Sequence, residues 1–69
     1  MMTAAEITEI LRNEKDYMMQ LVDRRSRMFA RGRWTREEVE DLVYKMQTTA
    51  AEIARLKEEL ETAERREAR

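Results

Sequence analysis

Residues 28–42, MFARGRWTREEVEDL, hold the chain's single glycine and a complete helix-start signal, and their reading decides the fold. Gly32 stands where a helix end calls for a left-handed residue, a conformation that costs glycine nothing sterically. Three residues on, Thr35 and Glu38 have the spacing of a capping box. In that device the hydroxyl accepts from a first-turn amide and the carboxylate reaches back to the cap's own N–H. Trp34 and Val39 flank it as a hydrophobic staple. One helix therefore ends near residue 31, a turn occupies 32–34, and a second helix begins near residue 36.

Working outward, the same start signal recurs at Thr3 and Glu6, with Met2 and Ile7 as its staple pair. The chain has no proline, so nothing breaks a first helix over about 4–31 or a second over about 36–67. Thr49 with Glu52 repeats the cap spacing, but no apolar or glycine break accompanies it, and the second helix is expected to run through. On a helical wheel the first helix gathers Ile7, Ile10, Leu11, Tyr17, Met18, Leu21, Val22, Met28 and Phe29 on one broad face, with Glu14 and Arg25 near its middle. In the second, Val39, Leu42, Met46, Thr49, Ile53, Leu56, Leu60 and Ala63 follow alternating steps of three and four, a heptad seam widened by Val43 and Ala50.

A short connection between two such helices makes an antiparallel hairpin. The fold expected is all-α: residues 1–69 as one helical-hairpin domain with a coiled-coil-like second helix. Folding at Arg33 sets position i opposite roughly 65 minus i, with Arg25 near Glu40, Arg24 near Asp41, and the residues after about 62 projecting as a charged overhang. Asp41 with Lys45 and Glu61 with Arg65 are supporting pairs within the second helix.

A two-helix layer is short of burial for a chain of this size. A second copy closing a four-helix bundle is the expected remedy, since small oligomers are mostly symmetric dimers. The oligomer interface read from the stripes is Glu14, Met18, Leu21, Arg25, Leu42, Met46, Ile53, Leu56 and Leu60, with Glu14 of one copy meeting Arg25 of the other. Across a parallel pair Glu52 would meet Lys57 favourably and Glu59 would meet Glu64 unfavourably, so the second helix alone does not choose an orientation.

Composition then narrows function. The 69 residues include 14 Lys or Arg and 15 Asp or Glu, with no His and no Cys, which removes the commonest general base, metal ligand and thiol nucleophile. Ser26 is the lone serine and has no histidine to activate it. No enzyme activity, no cofactor and no metal site is expected. Glu37, Glu38, Glu40 and Asp41 sit on a first helical turn without the loop of a calcium site, so the helix dipole accounts for them. No run approaches the ~20 apolar residues that span a bilayer, no apolar leader opens the chain, and the expected location is cytoplasmic.

The net charge of -1 conceals three blocks. Residues 1–22 sum to -2, residues 37–69 to -4, and residues 23–36, DRRSRMFARGRWTR, carry six arginines against Asp23 for +5. Arg24, Arg25, Arg27, Arg31 and Arg33 with Trp34 are the candidate partner-binding residues, because guanidinium forks and an indole face suit anionic groups. The plainer account is a solvated face whose arginines cap the first helix's dipole and pair with the acidic residues after the turn. The methionines fit a core filler better than an adaptable binding surface, apart from Met19, which lies off the stripe.

The function expected is a small non-catalytic protein–protein interaction module, an adaptor, chaperone-like partner or inhibitor, acting through helix faces and the arginine-rich tip as a homo-oligomer, a dimer. A nucleic-acid-binding dimer is the alternative, and a structural coiled-coil component of a larger assembly the second. In length and layout the hairpin resembles Rop-like RNA-binding dimers and the co-chaperones of type III secretion needle subunits, a likeness that transfers no residue.

Overall fold

The computed structural model describes residues 1–69 as two helices, α1 (Ala4–Arg31) and α2 (Arg36–Glu67), packed antiparallel in a rod 54 Å long. Both helices open as the spacing predicts. Thr3 Oγ1 accepts from the Glu6 amide at 3.2 Å while the Thr3 N–H donates to the Glu6 carboxylate at 3.0 Å. At α2 the Thr35 hydroxyl accepts from the Glu38 amide at 3.1 Å and the Thr35 N–H donates to Glu38 at 3.3 Å. Gly32 adopts φ 74° and its N–H closes α1 on the Phe29 carbonyl. Helix α2 runs unbroken through Thr49, whose hydroxyl donates back to the Lys45 carbonyl at 2.7 Å instead of capping a new start.

The buried residues of α1 are Ile7, Leu11, Leu21 and Met28, and those of α2 are Leu42, Thr49, Leu56 and Ala63. With half-buried Ala4, Glu14 and Met18, the α1 set steps by three and four as far as Leu21 and then reaches Met28 across the exposed Arg25. With half-buried Val39, Met46, Ile53 and Leu60, the α2 set steps by three and four throughout, so both helices contribute a heptad seam. The broad face expected of α1 is thus narrower in the fold: Ile10, Tyr17, Val22 and Phe29 flank the seam and remain exposed. The core divides into two clusters. Ile7, Leu11, Leu56 and Ala63 form one towards the open end, and Leu21, Met28 and Leu42 the other beside the turn. Glu14 and Thr49 occupy seam positions between them, which is why the apolar core is interrupted there.

The register differs from the expected one. Ala4 N–H donates to the Glu67 carboxylate at 2.6 Å and Arg66 donates to the Met2 carbonyl at 2.9 Å, so side chains pair i with about 69 minus i rather than 65 minus i. Two causes add. The connection is centred between Arg31 and Arg36 rather than on Arg33. Helical side chains also lean towards their own N-terminus, which is away from the turn in α1 and towards it in α2. The residues after 62 are consequently no overhang, and Ala63 is among the most buried in the chain. Arg25 and Arg24 do not reach Glu40 and Asp41, which instead bind Arg36 at 2.8 Å and Lys45 at 3.0 Å on their own helix. The expected Glu61–Arg65 pair is present at 3.9 Å.

Candidate interaction site

Heptad position divides the hairpin's remaining surface into two flanks. On the first, Arg31 of α1 meets Glu38 of α2 at 2.9 Å, and at the other end Arg66 meets the Met2 carbonyl. Arg24 lies seven residues before Arg31, one heptad back in the same row, and Arg27 lies beside both. A shallow groove on this flank is lined by Arg24, Arg27, Met28, Arg31 and Glu38. Met28, buried in the seam, makes its apolar floor.

The guanidiniums in the groove are not equivalent. Arg27 Nε holds Asp23 at 2.9 Å within α1. Arg31 is tethered twice, its Nε donating to the Arg33 carbonyl at 2.9 Å and its Nη2 to Glu38 at 2.9 Å. That contact, with the Thr35 backbone amide next in importance, lowers the Glu38 carboxyl from its ordinary value of 4.5. Arg24 has no carboxylate within ion-pair distance in its own chain and is the free cation of the groove. An anionic group entering here meets one unspent guanidinium, two neighbours already holding carboxylates, and a thioether floor.

The other sequence-predicted residues stand elsewhere. Arg25 occupies a seam position but is exposed, Arg33 lies in the turn and contributes its carbonyl to Arg31, and neither pairs with a carboxylate. Trp34 is turned away from the arginines: its ring meets Phe29 edge-to-face with centroids 5.1 Å apart. That contact places the indole on the opposite flank, the side of Val22 and Phe29. The residues expected at an oligomer interface line the contact between the two helices of one chain. Leu21, Leu42 and Leu56 are buried there, and Glu14, Met18, Met46, Ile53 and Leu60 half-buried. Glu14 meets no basic side chain within its own chain.

A second groove opens at the far end of the rod, between Met1 and Met2 on one side and Arg55, Glu59 and Arg66 on the other. Arg55 is held there by Glu52 and Glu59 together, an exposed pairing that lowers the Glu52 carboxyl. The sequence reading named Met2, Glu52 and Glu59 only for a helix start or for pairing between helices, and it named neither Arg55 nor Arg66. The clue was available in the spacing of Glu52, Arg55 and Glu59 at i, i+3 and i+7, which puts all three on one face.

No helix is long and apolar enough to cross a membrane. No protein-family model matches the chain, and no curated protein or solved structure matches it at significance.

Proposed function

We propose that the hairpin is a non-catalytic protein-binding module of the cytoplasm, an adaptor or inhibitor that works as a dimer and uses the arginine-lined groove beside the turn to hold an acidic segment of a partner. The observation that carries this reading is the placement of Arg24, without a carboxylate of its own, in one groove with the Met28 floor and with Arg27 and Arg31, the next two guanidiniums towards the turn. A site with an apolar floor and one free fork fits a carboxylate-bearing peptide side chain. It fits a nucleic acid less well, because a phosphate backbone needs a continuous track of free cations. Here Asp23 and Glu38 interrupt the track on both sides.

The alternative, a nucleic-acid-binding dimer, rests on the same arginines and is separated by titration. Labelled polyglutamate and a labelled RNA duplex are each added to the full chain, and anisotropy is followed between about 50 and 200 mM salt. Polyglutamate is expected to bind and Arg24→Glu to abolish that binding. RNA binding with a steep salt slope, and none to polyglutamate, overturns the reading.

A further inference from the structure

We propose that a second copy of this chain docks antiparallel on the flank opposite the arginine groove, over Met19, Val22, Phe29 and Val43. This rests on the reading that the hairpin works as a dimer, and it adds the face and the direction of the pair.

Beyond the N-terminal methionines eight large apolar side chains are exposed, and five of them, Met19, Val22, Phe29, Trp34 and Val43, belong to this flank. Their placement follows from the heptad. Arg31–Glu38 and Arg66–Met2 identify one side of the seam, so the rows on the other side stand together across the antiparallel contact. On α1 those rows place Met19, Val22, Ser26 and Phe29, and on α2 they place Val43, Gln47, Ala50 and Ala54. None of these eight is charged, in a chain that is 42% charged. Met19 is 69% exposed, Phe29 51% and Val43 45%. The alanines of α2 let another helix approach closely, and the larger side chains of α1 supply area. The row ends where charge returns, at Lys15 and Lys57 on one side and at Glu40 on the other.

Charge selects the second copy and its direction. The turn half of the hairpin, residues 23–45, sums to +2, and the rest of the chain sums to -3. Two copies laid head to tail put each positive half beside a negative one. The same operation brings α1 against α1 of the other copy, with the two-fold near Val22. Lys15 and Lys57, which have no carboxylate partner in their own chain, then come beside Glu40 of the second copy, a carboxylate that Arg36 holds from its other side at 2.8 Å. At 0.1 M salt, fields fade over about 10 Å, so charge orients the pair while the apolar rows hold it. Both arginine grooves remain on the outside of the bundle.

The chain has no cysteine, so a disulfide formed by a single engineered cysteine joins two copies. Three measurements on the full chain test the proposal. Sedimentation equilibrium is expected to show a dimer that Val22→Glu with Val43→Glu weakens by about tenfold or more, with helical circular dichroism retained because both sites are exposed. Under mild oxidation Val22→Cys is expected to form a disulfide dimer and Thr8→Cys, far from the two-fold, to form none. A wild-type chain that stays monomeric at millimolar concentration overturns the pairing and the dimeric reading together. A dimer that survives the double substitution, or a Thr8→Cys disulfide with none at Val22→Cys, overturns this face and direction while leaving dimerisation standing.

Discussion

At the scale of single residues, two polar side chains, Glu14 and Thr49, stand in the seam between the apolar clusters. Thr49 is 5% exposed, yet its hydroxyl is satisfied by the carbonyl one turn back, so its burial leaves no orphan donor. Glu14 has no such solution: it stands half-buried at a seam position, and no basic group in the chain reaches it. Leucine there would join the two apolar clusters into one. Glu14→Leu is therefore expected to raise stability by about 1 kcal/mol, a fraction of a full leucine burial, measured by urea unfolding of wild type and variant at matched concentration. An unchanged or lower midpoint would mean that the carboxylate has a partner outside its own chain. The seam membership of both residues was readable from spacing alone.

At the scale of elements, the helix starts are local devices, and the sequence predicted both. Each cap satisfies amides that the helix itself leaves open, and each ties a carboxyl to the folded state. Hydrogen bonds from the Thr3 backbone and hydroxyl lower the Glu6 carboxyl from 4.5. Arg31 first, and then the Thr35 backbone, do the same to Glu38. A carboxyl lowered on folding contributes stability above its unfolded value, and that contribution is lost as pH falls through the folded one. Stability is accordingly expected to be level near neutral pH and to decline below about pH 5. Glu38→Gln should flatten part of that decline, seen as a smaller gap between melting midpoints at neutral and acid pH. A gap equal to that of wild type would detach Glu38 from the folded-state cap. The apolar face of α1 was less legible. At one turn per 3.6 residues, the flanking Ile10, Tyr17, Val22 and Phe29 merge with the seam, and only a partner helix following a 3.5-residue repeat separates them.

At the scale of the whole molecule, the open end is clasped rather than frayed. Ala4 and Glu67, with Arg66 and the Met2 carbonyl, join the first and last turns of the hairpin over Ile7 and Ala63. Deleting residues 63–69 removes that clasp together with a fully buried alanine. It is expected to lower the melting midpoint by about 5 °C or more, since 1 kcal/mol corresponds to roughly 4–8 °C in a chain of this length. A free overhang could be deleted with no change in midpoint. The same tertiary arrangement separates cations from apolar area. Arg24, Arg27 and Arg31 fall on one flank of the seam, while Phe29 and Trp34 fall on the other. Adjacent in sequence, they read as a single arginine-and-aromatic tip, and the hairpin turns them to opposite sides.

What the sequence determined by itself was everything that depends on neighbours within a turn or two: two helices, their caps, the glycine stop, and the seam of α2 with its i,i+4 pairs. These are set by short-range hydrogen bonding and by the periodicity of one helix. What the tertiary structure alone decided was the register, the narrowing of the α1 face, the clasp between chain ends, and which arginines share a groove. Each of these depends on where one helix lies against the other. That offset follows from the turn's centre and the lean of side chains on two opposed helices, and a shift of four residues in it changes every cross-helix pair while leaving each helix's own pattern untouched.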